Sequence, residues 1–288
     1  MKMNIGFIGT GVIGLSMAGH LMDAGHELFV YNRTAQKCEP LTARGAKLMD
    51  GPGDVASASD IVFSIIGLPK DVEEVYLGPG GVIERARPGT LLVDMTTSSP
   101  GLAKRIYDAA KARGLASCDA PVTGGDRGAR EATLSIMVGG DEADVERAMP
   151  LLRLMGRKIV RFGPSGCGQI AKLANQIVIA GTMLGVCEGL SFARRAGLDP
   201  RMFLECVEAG SAGSWSLSNY GPRILDGDFA PGFFVKHFIK DMRLADESSG
   251  EIGMNLEGLR VALSQYEKLA AAGGGENGTQ GLFKLYEK

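Results

Sequence analysis

The chain has 288 residues with 31 basic and 33 acidic side chains, a formal charge of −2, so nothing in its charge calls for nucleic acid or an anionic membrane as a partner. No apolar run is expected to reach the ~18 residues that span a bilayer, and the first residues lack the form of a signal peptide. The five cysteines (38, 118, 167, 187, 206) show no C-x-x-C spacing and the three histidines (20, 26, 237) no helical ligand spacing, which predicts reduced thiols, a cytoplasmic location and no metal.

The first half alternates short apolar runs with helical patterns. Strands are predicted over 5–8, 28–31, 61–66, 91–95, 116–118, 134–138 and 159–162. A helix over 12–24 follows the first strand. Another covers 100–113, where Ser99 can cap and Pro100 suits the first helical position. Such alternation predicts a mostly parallel sheet covered on both faces, an α/β doubly wound fold. Past residue 162 the pattern changes. A glycine-rich turn leads into a long, largely buried helix over about 168–195, which Gly197 ends, and Asp199-Pro200 caps the next helix. The remainder reads as helical, interrupted at 210–219 and 226–233, with a loop at 270–275. The chain is thus divided into a dinucleotide-binding domain over 1–164 and an all-helical domain over 165–288 that opens with the long helix.

Gly9-Thr10-Gly11-Val12-Ile13-Gly14 has the spacing G-x-G-x-x-G and sits where the first strand turns into the first helix. Gly9 permits a tight turn, Gly11 a close approach to a pyrophosphate, and Gly14 close packing of helix on strand. The helix start offers N–H groups and a positive dipole end to phosphates, the Rossmann-type arrangement. At the end of the second strand stand Asn32, Arg33 and Thr34. An acid there would hydrogen-bond a ribose and favour NAD, but this chain has none; Arg33 suits a 2′-phosphate, which predicts a preference for NADP with NAD possible. Leu68 and Pro69 follow the strand at 61–66, and Thr96 follows the strand at 91–95. Both places lie where ligands bind in open α/β sheets, and Thr96 reads either as a nicotinamide-ribose contact or as a turn hydroxyl.

Further along, Asp119-Ala-Pro-Val-Thr-Gly-Gly125 ends a strand in Thr123 followed by Gly124 and Gly125, whose N–H groups suit a small carboxylate. Lys172 and Asn175 share a face of the long helix among apolar neighbours. A lysine so placed is costly unless it is useful, and a partly dry lysine can act as general acid or base. Lys240-Asp241 reads either as a plain charged helix face or as one from which Lys240 approaches the coenzyme. Trp215, the single tryptophan, reads either as a pocket wall or as a core residue.

Taken together, GTGVIG, DAPVTGG, GCGQIAKLANQ and KDMRLA resemble, over nearly the whole chain, the β-hydroxyacid dehydrogenase family. That family includes 3-hydroxyisobutyrate dehydrogenases and the tartronate and succinic semialdehyde reductases. The resemblance implies an NADP-dependent reductase of a short aldehyde acid, with Lys172 as the catalytic lysine. It implies substrate contacts from Thr123, Gly124, Gly125 and Asn175, and coenzyme contacts from Gly9, Gly11, Gly14, Arg33, Thr96 and Lys240. It also implies a homodimer or homotetramer. The family often has serine where this chain has Thr123, whose extra methyl narrows the pocket. The alternatives are a 3-hydroxyisobutyrate-type dehydrogenase, an imine reductase, and a non-catalytic NADP-binding scaffold. Lys172 speaks against the last two, and the chain is too short for a 6-phosphogluconate dehydrogenase.

Overall fold

The computed structural model describes residues 2–287. Its contacts divide the chain into a first unit through Lys172 and a second from Leu173 onward. The division falls inside the long helix, whereas the glycine-rich turn before that helix suggested 164/165.

In the first unit the elements run β1 (Asn4–Ile8), α1 (Val12–Asp23), β2 (Glu27–Tyr31), α2 (Glu39–Thr42), β3 (Lys47–Leu48), α3 (Pro52–Ala58), β4 (Ile61–Ser64), α4 (Pro69–Leu77), α5 (Val82–Arg85), β5 (Leu91–Asp94) and α6 (Pro100–Ala112). They continue with β6 (Ala116–Asp119), β7 (Val122–Thr123), α7 (Gly125–Arg130), β8 (Leu134–Gly139), α8 (Glu142–Leu152), β9 (Gly156–Gly163) and the start of α9 (Cys167–Arg195). One sheet has the order β3-β2-β1-β4-β5-β6-β8-β7, with β9 on β8. The strands from β3 to β6 pair in parallel, whereas β8 joins β6 and β7 antiparallel. Strand order reverses between β1 and β4, the switch point where ligands bind in such sheets.

Successive strand residues point to opposite faces. Phe7, Phe63 and Val93 join Met17 and Leu21 of α1 in one core cluster, while Ile8, Val62 and Leu92 join Val72, Leu102 and Ile106 in another. With both faces covered, the central strands are continuous apolar runs, which made them legible. The predicted strands 61–66 and 91–95 end earlier, at Ser64 and Asp94. The sequence pattern did not show β3 and β7, two-residue strands with no apolar run of their own. Ser99 caps α6 as expected, accepting the Leu102 N–H at 3.1 Å.

The second unit holds the rest of α9 with α10 (Pro200–Glu208), α11 (Trp215–Leu225), α12 (Val235–Glu251) and α13 (Glu257–Ala271). Leu173, Met183, Cys187 and Leu190 pack with Phe238, Met242 and Tyr266 in its core. Asp199 caps α10 by accepting the Arg201 N–H at 2.7 Å. The break predicted over 210–219 is shorter, because Ser214 caps α11 through the Leu217 N–H. One expectation is corrected outright: α9 is long and apolar enough, by length and composition, to cross a membrane, with mean hydropathy 1.5 over an 18-residue window. Its one lysine interrupts the run without lowering the average far. The expectation of a largely buried helix is corrected as well: Leu173, Met183, Cys187 and Leu190 serve the core just described, whereas Ile170, Val178 and Phe192 on its other side are exposed.

Candidate active site

The dinucleotide loop lies where the ends of β1 and β4 diverge. Gly9 has φ +98°, and a Cβ there would stand 2.1 Å from the Ile65 carbonyl oxygen; one on Gly14 would stand 2.0 Å from the Gly9 oxygen. Those two glycines are demanded by the chain itself. Gly11 is different: a Cβ there would meet nothing within 4 Å, and its φ of −72° suits any residue. Open space ahead of Gly11, with no side chain capping α1, fits the close approach of a pyrophosphate to the helix start. Val12 is exposed beside it, and Ile13 packs against the sheet core.

Two residues expected to touch coenzyme also bond within the chain. Thr10 is buried; its hydroxyl bonds Cys38 Sγ at 3.3 Å and its N–H goes to Asn32 Oδ1 at 3.1 Å. Asn32 spends its amide on the Thr34 carbonyl at 2.9 Å. Together they tie the glycine loop to the end of β2. Arg33 does face outward: its side chain is 84% exposed and sits 3.6 Å from Asp71 Oδ1. Leu68 caps α4 and Pro69 opens it, both half-buried.

Thr96 is also turned inward. Its hydroxyl accepts the Ile66 N–H at 2.8 Å, its N–H goes to Asp94 Oδ1, and its carbonyl accepts the Gln169 amide at 2.8 Å. It is a buried junction of two strand-end loops, not a free hydroxyl above the sheet. Beneath it, Ser64 donates to Asp94 at 2.8 Å and bonds the Tyr76 hydroxyl. Burial pushes the Asp94 carboxyl up to about 6, with hydrogen bonds from Thr96 and Ser64 holding it back.

Asp94 pairs in register with Asp119 at the end of the neighbouring strand. Asp119 is buried; Oδ1 accepts the Gly166 N–H at 2.7 Å and Oδ2 the Gln169 N–H at 2.8 Å. Its carboxylate therefore serves the start of α9. Burial raises its pKa, and those N–H groups oppose the rise. Four residues on in the chain comes Thr123, half-buried in β7, followed by Gly124 and Gly125 with φ of +129° and +64°. Lys172 stands on α9 one turn beyond Gln169 and is 6% exposed.

In the second unit Asn175 donates to Gln176 Oε1 at 2.8 Å, and Gln176 donates to Asp241 Oδ2 at 2.6 Å. The Lys240 ammonium lies 2.8 Å from Asp241 Oδ1. A buried amide and a buried carboxylate thus link Asn175 to Lys240 within one unit. Trp215 is 57% exposed and meets Tyr220 edge-on, so it is not a core residue.

Sequence reasoning assigned nothing to Ser64, Tyr76, Asp94, Gln169 or Gln176. For the two glutamines a signal existed: Gln169, Lys172 and Gln176 recur at i, i+3 and i+7, a polar face on an apolar helix. No group of acids, cysteines and histidines suited to a metal occurs among the described residues.

Known proteins align with this arrangement from end to end. Residues 4–163 match the family model of the NAD binding domain of 6-phosphogluconate dehydrogenase, and residues 166–286 match that of the NAD-binding of NADP-dependent 3-hydroxyisobutyrate dehydrogenase. A Bacillus subtilis oxidoreductase, YkwC, is 50% identical over 100% of both chains. An Arabidopsis thaliana probable 3-hydroxyisobutyrate dehydrogenase-like protein is 50% identical over 99% of this chain and 85% of its own. Escherichia coli 2-hydroxy-3-oxopropionate reductase is 38% identical over 99% of this chain and 97% of its own. Among solved structures, Mycobacterium tuberculosis 3-hydroxyisobutyrate dehydrogenase with L-serine covers 100% of both chains at 28% identity and a TM-score of 0.92. Both family models and these full-length relatives agree with the loop geometry: the chain belongs to the NAD(P)-dependent β-hydroxyacid dehydrogenase family of oxidoreductases, the 3-hydroxyisobutyrate dehydrogenase-like group.

Proposed function

We propose that the protein interconverts a short β-hydroxy acid and its aldehyde, as a 3-hydroxyisobutyrate-type dehydrogenase, with Lys172 moving the proton and NADP preferred over NAD. The observation that carries this reading is the buried Lys172 on the helix whose first turn is bonded to the strand end leading into Thr123–Gly125. NAD(P), when bound, takes or gives the hydride. Lys172 as the amine takes the hydroxyl proton while the carbinol carbon is oxidised; as ammonium it returns that proton to the carbonyl oxygen in the reverse direction. Thr123 and the N–H groups of Gly124 and Gly125 hold the substrate carboxylate, and Asn175 orients the substrate. Gly11 and the start of α1 take the pyrophosphate, and Arg33 takes the 2′-phosphate in exchange for Asp71. Lys240, held by Asp241, contacts the coenzyme, and exposed Trp215 forms a wall of the substrate site.

Reduction of a semialdehyde is the same chemistry run backwards. The names of the relatives favour the hydroxy-acid side over the semialdehyde reductase expected first, and the E. coli relative supports the semialdehyde as second reading. A coenzyme-absorbance panel tests this: 3-hydroxyisobutyrate and L-serine with NADP or NAD, and tartronate and succinic semialdehydes with the reduced forms. Turnover on a β-hydroxy acid, faster with NADP, is expected. Tight NADPH binding without turnover on any of them refutes the assignment in favour of imine substrates or a scaffold.

A further inference from the structure

The reaction needs a lysine held still against the substrate carboxylate site. Lys172 sits only a turn and a half into α9, where an isolated helix end frays because its first N–H groups lack partners. Two side chains prevent that here. Asp119 supplies one oxygen to the Gly166 N–H and the other to the Gln169 N–H. Gln169, fully buried, uses both ends of its amide: it accepts the Ser98 N–H at 2.8 Å and donates to the Thr96 carbonyl at 2.8 Å.

The surroundings are cut to fit that carboxylate. A Cβ on Gly139 would stand 2.6 Å from Asp119 Oδ1, and one on Gly168 would stand 2.8 Å from Oδ2 and 2.5 Å from the Met137 carbonyl oxygen. Neither glycine has a positive φ in the left-handed range that would account for it otherwise. β8 and the first turn of α9 are thus kept bare so that they can close on Asp119. A carboxylate at a helix start is favoured by the dipole, and its bonds to N–H groups are charge-assisted. All of these groups lie within the first unit.

We propose that Asp119 is a positioning residue for the reaction: by holding the first turn of α9, its carboxylate sets where Lys172 stands relative to Thr123, Gly124 and Gly125. The residue that opens the substrate loop and the residue that fixes the helix are then one and the same, so loop and lysine keep a common reference. The proposal rests on the reading of Lys172 as the proton carrier.

The test uses the full-length protein with Asp119→Asn, which keeps size but presents an amide N–H₂ to one of the two backbone N–H groups. Since misplacement by about 1 Å costs on the order of 100-fold, kcat is expected to fall 10- to 100-fold, while the Kd for NADPH stays within twofold. Hydrogen exchange at residues 166–172 is expected to speed up. Should Asp119→Asn fail to fold, Gln169→Met removes the second pair of bonds at similar volume, and a fall in kcat at unchanged NADPH affinity is again expected. Faster exchange with kcat within twofold of wild type overturns the proposal. So does a parallel loss of NADPH affinity and kcat, which marks general damage. Lys172→Ala is run alongside: full activity there overturns the reading of Lys172 and this proposal with it, whereas an inactive Lys172→Ala beside a fully active Asp119→Asn overturns the proposal alone.

Discussion

Replacing Gly11 by alanine is expected to cost coenzyme affinity and leave the fold intact. The backbone there, at φ −72° and ψ −169°, is open to alanine, and the new methyl meets no protein atom within 4 Å. Exchanging glycine for alanine at a helix N-cap costs about 1 kcal/mol or less. The methyl projects ~1.5 Å into the space ahead of α1. Losing one charge-assisted bond to phosphate costs about 1.5–3 kcal/mol, or roughly 10- to 150-fold in Kd. Gly9→Ala is the contrasting case. Its Cβ would lie 2.1 Å from the Ile65 oxygen at a φ of +98°. Backbone strain of about 1–3 kcal/mol and overpacking of about 1–3 kcal/mol then fall on stability. Thermal unfolding without coenzyme, paired with NADPH fluorescence titration, separates the two effects. A Gly11→Ala protein that binds NADPH within twofold of wild type, or that melts as low as Gly9→Ala, refutes the assignment of this loop to pyrophosphate.

Arg33→Ala is expected to lower the ratio of kcat/KM for NADPH over NADH roughly tenfold, and Asp71→Asn to raise it, since Asp71 competes for Arg33 at 3.6 Å; unchanged ratios in both remove Arg33 from the 2′-phosphate site. Asp94 has a folded pKa of about 6 against the usual 3.8, so between these values the native state holds a proton that the unfolded chain has released. Stability is therefore expected to fall as pH rises from ~4 to ~6 and to level off above, by at most about 3 kcal/mol from this group. Urea unfolding across that range shows whether Asp94→Asn abolishes this part of the slope; equal slopes in variant and wild type contradict it. Adding substrate to the NADP complex is expected to quench Trp215, the single tryptophan, and no change in emission removes it from the substrate wall.

The parallel strands were legible because burial on both faces writes them as apolar runs, the long helix because it runs without proline and with few charges, and the caps at Ser99 and Asp199 are short-range signals. Strands β3 and β7 were not, being fixed by their neighbours rather than by their own residues. Of the motif residues, Gly9, Gly11 and Gly14 stand where the spacing placed them, though Gly9 and Gly14 answer to packing and only Gly11 faces open space. Thr10, Asn32 and Thr96 show why a motif position does not reveal which way a side chain turns. Each is a polar residue at a strand end, and partners distant in sequence decide its direction: Cys38 for Thr10, the Thr10 N–H for Asn32 and the Ile66 N–H for Thr96. The link from Asp119 to α9 joins residues 47 and 50 positions apart, beyond any local pattern.

The account turns on Lys172. Coenzyme reduction by wild type and Lys172→Ala, with the best β-hydroxy acid and saturating NADP, is the most direct test. A loss of about 10²–10⁴ in kcat, the range for a positioned acid–base group, with the NADPH Kd unchanged, is the predicted result. Turnover by Lys172→Ala within threefold of wild type would contradict it, and the proton would have to be carried elsewhere.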